Sequence, residues 1–136
     1  MMMKVAIIGS RSYTNSRKVK EFIHKLKENF NEELEIVSGG QKEGSDGYAK
    51  KYALEFDVKY SEFPPQHYSH NMHCVKPKYN YGKKYYVSNY FKRNKQIAEY
   101  SDRIVAFVTN PNNITSGTLS TLQYAEKMNK KSIIID

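Results

Sequence analysis

Tryptophan is absent from these 136 residues, cysteine occurs once, proline four times and glycine seven times. The single cysteine, Cys74, excludes an internal disulfide, so packing alone must hold the core, and this usage suits a reducing cytoplasm. Long apolar runs are also missing. None approaches membrane-spanning length, and Met1-Met-Met-Lys leads into a strand-like segment without a signal-peptide core. There is no internal repeat or low-complexity tract. The expectation is one cytoplasmic domain over residues 1–136 with no membrane partner.

Lysine and arginine number 22 against 14 acidic residues, a formal charge of +8. That excess reads either as a field attracting an anionic ligand or as an unspecialised lysine-rich surface. The scarce glycines are more telling, because six of the seven follow three predicted strands. Gly9 comes after Lys4-Val-Ala-Ile-Ile8; Gly39, Gly40, Gly44 and Gly47 come after Leu34-Glu-Ile-Val37; Gly117 ends the loop after Arg103–Val108. Apolar runs this continuous suit strands buried on both faces of a parallel sheet. Glycine lets backbone approach a ligand closely, and a helix that follows offers unpaired N–H groups and a positive dipole end.

Helical periodicity connects the strands. Thr14, Asn15 and Ser16 are good N-caps ahead of Val19, Phe22, Ile23, Leu26 and Phe30 on one face. A second helix is expected from about Ser45 to Phe56, then a short strand over Val58–Phe63 closed by Pro64-Pro65. The last unit runs from Arg103 through a helix bearing Leu122, Ala125 and Met128 to Ile133-Ile-Ile135. The fold class that follows is α/β: one Rossmann-like, doubly wound domain of about five parallel strands with helices on both faces. A Tyr/Lys/His-rich insert over about residues 64–88 interrupts it, too long for an ordinary connector and too aromatic for disorder.

In such sheets ligands bind at the carboxyl ends of the strands, beside the topological switch point. Gly9, Ser10 and Arg11 would clamp a phosphate or carboxylate there, a task suited to arginine's planar fork; otherwise they form a tight turn with a solvated arginine. Ser38, Gly39 and Gly40 would lie against a nucleotide. Gly44, Ser45 and Asp46 open the second helix, where Asp46 either accepts from a ribose diol or caps the helix. Ser116, Gly117 and Thr118 begin the last helix and fit anion binding, N-capping or both. His67, His70, His73 and Cys74 match no standard zinc spacing, so no metal is expected. Tyr79, Tyr81, Tyr85, Tyr86, Tyr90 and Phe91 interleave with lysines, which suits base stacking, packing or a subunit contact equally.

Ile8-Gly-Ser-Arg11, Ser38-Gly-Gly40 with Gly44-Ser-Asp46, Glu62-Phe-Pro64, Phe91-Lys-Arg-Asn94 and Ser116-Gly-Thr118 occur in an order that resembles the SLOG superfamily. That group holds the Lonely Guy phosphoribohydrolases, the DNA-processing protein A domain and short stand-alone bacterial and phage proteins, to which the match is nearest. The resemblance implies a Rossmann-like fold, metal-free binding of a nucleotide or nucleotide-derived signal without a cofactor, and association into homo-oligomers. It implies a sensor or sequestering role, in the host cytoplasm if the chain is phage-encoded. Arg93 falls on the catalytic arginine of Lonely Guy enzymes and would face a phosphate or glycosidic oxygen, unless it belongs to a basic helix face with Lys92 and Lys95. Asn94 would hold a loop through side-chain hydrogen bonds. The Lonely Guy pattern places a glutamate where this chain has Thr121, and threonine neither activates water nor stabilises an oxocarbenium-like sugar. Binding without turnover is the leading expectation. The alternatives are a nucleoside 5′-monophosphate N-glycoside hydrolase, with Arg93 catalytic, and a single-stranded nucleic-acid binder.

Overall fold

A computed structural model describes residues 2–39, 44–63 and 87–136, with the side chains of residues 87–90 left aside. The elements run β1 (Met3–Gly9), α1 (Ser16–Phe30), a short 3-10 turn (Asn31–Glu33), β2 (Leu34–Ser38), α2 (Gly44–Glu55) and β3 (Lys59–Glu62). They continue with α3 (Val87–Tyr100), β4 (Arg103–Phe107), α4 (Ser116–Lys127) and β5 (Lys131–Ile135). All strand pairs are parallel, in the order β3-β2-β1-β4-β5. The chain winds outward from β1 to β3 and then returns beside β1, so the switch point lies between β1 and β4. The α/β expectation, with its five parallel strands, holds.

Strand alternation divides the core into two layers. Val5, Ile7, Leu34, Ile36, Val105 and Phe107 pack with Val19 and Ile23 of α1 and with Ala49, Tyr52 and Ala53 of α2. On the opposite face Ala6, Ile8, Val37, Ile104, Ala106 and Val108 meet Ile97 of α3 and Leu122 and Ala125 of α4. Asn15 caps α1, its side-chain oxygen accepting from the Lys18 amide at 3.2 Å. Asn31 ends the helix at φ 51°.

Glu35 is fully buried in β2. Register sets it opposite Lys59 of β3, whose ammonium lies 3.0 Å from its carboxylate, and Ser61 Oγ donates to it at 3.3 Å. The carboxylate holds the Lys59 pKa above the ordinary lysine value, hydrogen bonding first and charge second. A charge at zero exposure demands such partners, so this network fixes the edge strand β3 on β2.

The motif residues Arg93 and Asn94 would start the helix before β4 on the sequence reading; α3 instead begins at Val87 and they sit at its middle. Gly47 lies inside α2, within the helix expected from Ser45. Most of the insert, residues 64–86, falls outside the described residues, and with it His67, His70, His73, Cys74 and most of the tyrosines.

Phe107 is the largest fully buried side chain, set 5.5 Å from the Tyr13 ring and edge-on to Phe22 at 5.7 Å. Phe107→Ala should lower unfolding stability in urea by about 3–5 kcal/mol. A change within about 0.5 kcal/mol, the range of surface substitutions, would contradict this core.

Candidate functional site

β1 ends on a glycine for a measurable reason. Gly9 has φ +144°, and a Cβ there would lie 1.9 Å from the Phe107 carbonyl oxygen. No other residue lets β1 run this close to β4. The next amide, of Ser10, donates to that same carbonyl at 3.1 Å. Ser10 O in turn accepts from the Tyr13 amide (3.2 Å) and the Ser45 amide (3.3 Å), which draws the start of α2 onto the β1 turn. Gly44, at φ +69°, opens α2 because a Cβ would meet Ser10 O at 2.2 Å.

The deep wall is built around Arg93. This arginine is only 8% exposed, a heavy desolvation for a permanent charge. Its Nε donates to Asn94 Oδ1 at 3.0 Å and one terminal nitrogen donates to Gly39 O at 3.0 Å. A Cβ at Gly39 would fall 2.6 Å from that guanidinium and 2.9 Å from Asp46 Oδ2, so a cation and an anion flank this glycine. Asn94 is buried with both ends of its amide engaged, because its Nδ2 donates to Gly117 O at 3.1 Å. Thr121 Oγ1 donates to the same carbonyl at 3.2 Å. Asn94 thereby joins α3 to the first turn of α4.

At α4 the N-cap Thr115 makes no side-chain cap bond; its hydroxyl donates to Thr118 Oγ1 at 3.2 Å instead. The first-turn amides therefore have no side-chain acceptor from the cap, and Ser116, Gly117 and Thr118 of that turn line the cleft. The Cβ position of Gly117 meets nothing within 4 Å, so open space lies against this turn. On the opposite rim, Ser12 and Thr109 share a 2.9 Å hydroxyl bond between the β1 and β4 loops.

These loops enclose a cleft of about 460 Å³ at the carboxyl edge of the sheet, a size typical of small-molecule sites. Gly9, Ser10 and Arg11 line it from β1; Gly39 and Asp46 from β2 and α2; Arg93 and Asn94 from α3; Ser116, Gly117 and Thr118 from α4. Arg11 is exposed at the mouth. Gly44 and Ser38 stand one layer back, the latter bonded through Oγ to Tyr60. Gly40 lies outside the described residues. Ser12, Thr115 and Phe91 also line the cleft, although the motifs put none of the three among its contacts. A larger concavity of about 1060 Å³ beside α1 is lined by charged side chains of that helix together with Phe22, Tyr52, Phe56, Phe107 and Ile135, and touches none of the glycine turns. Among the described residues no cluster of histidine, cysteine, aspartate and glutamate could hold a metal, and no helix is long and apolar enough to cross a membrane.

Beside the cleft, Tyr60 bonds Ser38 and donates to Glu62 Oε1 at 3.1 Å. Burial pushes its phenol above the usual range; the bond to Ser38 opposes this, and the charges of Glu62 and Asp46 add to it.

An open parallel sheet with glycine turns at its switch point defines a Rossmann-like α/β protein. More narrowly, the YspA, cpYpsA-related SLOG family (YAcAr) matches residues 3–70, half of the chain, and the chain belongs to that family. That match covers β1 to β3 and stops short of Arg93 and Gly117. None of the curated proteins compared with the chain matches it. Among solved structures it is similar to DNA processing protein A of Streptococcus pneumoniae, at 22% identity and TM-score 0.73, over 99% of this chain and 50% of that one. The Helicobacter pylori protein of the same name, described for its single-stranded DNA binding, aligns at 24% identity and TM-score 0.71, over 97% and 64%. A molybdenum cofactor binding protein from Rippkaea orientalis follows at 18% identity and TM-score 0.68, over 98% and 76%. The chain spans half and just under two thirds of the two DNA processing proteins, and at these identities the likeness is one of fold.

A phenol that must stay neutral in the fold gives a definite pH sign. Tyr60 stabilises the native state fully below about pH 10 and progressively less above it, because the unfolded chain then releases a proton the folded chain keeps. Urea denaturation across the alkaline range should show this decline. In Tyr60→Phe it becomes shallower, and among the described residues the contributions of Tyr13, Tyr100 and Lys59, all raised likewise, remain.

Proposed function

We propose that the cleft binds a nucleotide or nucleotide-derived molecule by its phosphate and retains it without cleaving it, as a sensor or sequestering protein does. The observation that carries this reading is the first turn of α4, whose Gly117 borders open space in the cleft that Arg11 also lines. An anion there gains both the helix dipole and a guanidinium fork. Solved proteins of the same fold, named for binding a molybdenum cofactor or single-stranded DNA, support an anionic ligand. Asp46, beside Gly39, suits the ribose hydroxyls.

Retention without turnover rests on Thr121. Its hydroxyl is committed to Gly117 O, and no carboxylate stands at that position to face positive charge developing on a sugar. A missing electrostatic partner of this kind commonly costs about a hundredfold to a thousandfold in rate. Nucleoside monophosphates incubated with stoichiometric protein should release no free base on chromatography. Release that disappears in Arg93→Ala would establish the hydrolase reading instead, with Asp46 as the substitute carboxylate.

Self-association belongs to the same reading. β5 borders the sheet with Ile133 50% and Ile134 47% exposed, an edge that invites pairing. Sedimentation velocity should find an oligomer that Ile134→Lys weakens; a monomer at every concentration would remove this part.

Ligand binding is read from thermal unfolding. A nucleotide at about a hundredfold its Kd should stabilise the fold by roughly 2.7 kcal/mol. Because Arg11 is exposed and outside the core, Arg11→Ala should fold normally and bind roughly 10- to 100-fold more weakly, the loss of a charge-assisted bond. If mono-, di-, cyclic and ADP-ribose-type nucleotides all leave the melting temperature unmoved, the proposal fails.

A further inference from the structure

The cleft has one aromatic wall among its described lining residues, Phe91. It sits early in α3 and is 41% exposed, whereas Ile97 and Ala98 of the same helix are fully buried. Phe91 belongs to neither core layer. Its ring therefore earns little from folding, and a half-exposed phenyl at a cleft mouth is a surface that a flat partner can cover. The polar groups take the other parts of the cleft: the α4 amides with Arg11, and Arg93 beside Asp46 at Gly39.

A cleft with an anion-binding end and a phenyl wall matches a molecule that joins an anion to a planar ring. We infer that Phe91 is the stacking platform for the heterocycle of the bound nucleotide, and so the residue that distinguishes a nucleotide from a bare sugar phosphate. The inference rests on the nucleotide reading above and adds the base to it. A phenyl face accepts any base, because every base has a π-face, so the preference it creates is for the presence of a ring over its identity.

The experiment compares ribose 5-phosphate with the four common nucleoside 5′-monophosphates by calorimetric titration. Wild type should bind at least one monophosphate about 10- to 100-fold more tightly than ribose 5-phosphate, the range that base–aromatic stacking supplies. Phe91→Ala should erase that preference, lowering nucleotide affinity to the level of the sugar phosphate and leaving the latter unchanged. Because the chain has no tryptophan, Phe91→Trp adds a single reporter, whose fluorescence the monophosphate should quench and ribose 5-phosphate should not.

Three results would overturn the inference, and they separate it from the reading beneath it. If wild type binds ribose 5-phosphate and the monophosphates equally, Phe91 reads no base and the anion site stands. If Phe91→Ala keeps the preference, another group reads the base and the nucleotide reading stands. If none of these five binds and di-, cyclic and ADP-ribose-type nucleotides also leave the melting temperature unmoved, both fall together. Unchanged melting temperatures for the free variants show that any loss is one of contact and not of folding.

Discussion

The close approach of β1 to β4 at Gly9 is the constraint on which the site depends. Substituting any side chain there would drive it into the Phe107 carbonyl, and the two central strands would have to separate at their carboxyl ends. That contact sets Ser10, Ser10 sets the start of α2 through Ser45, and α2 brings Asp46 to Gly39. A glycine that weakens a strand locally is tolerated because it alone closes the switch point.

Arg93 imposes a second constraint of another kind. A buried guanidinium is costly to desolvate, and its hydrogen bonds to Asn94 and Gly39 offset part of that cost while holding the group in one place. A charge held before its ligand arrives need not reorganise on binding. Asn94 extends the order to α4 through Gly117, so one residue holds both the guanidinium and the first turn of α4.

Most of the fold was legible in the sequence because continuous apolar runs and helical periodicity follow directly from a sheet covered on both faces. Gly9 and Gly39 were legible for the same reason, marking where β1 and β2 stop at the carboxyl edge. The start of α3 was not: its first turn carries Val87, Ser88, Asn89 and Tyr90 after a stretch of tyrosine and lysine, with no apolar period or acidic first turn to announce it. Glu35 passed as an ordinary strand residue, since its partner Lys59 comes from a strand whose register no local pattern encodes. Phe91 was read with the aromatic and cationic stretch around it, and only the fold separates it from its neighbours and sets it at the cleft. The commitment of Asn94 to two protein partners was visible in kind, as a loop-holding amide, but not in direction.

The two core layers have a consequence for mechanics. α1 and α2 cover one face of the sheet, α3 and α4 the other. The cleft occupies the carboxyl rim of the sheet, walled by α2 on one flank and by α3 and α4 on the other. Whatever fills it acts as a rivet through both covers. A molecule held there would touch both covers and so restrain their independent breathing.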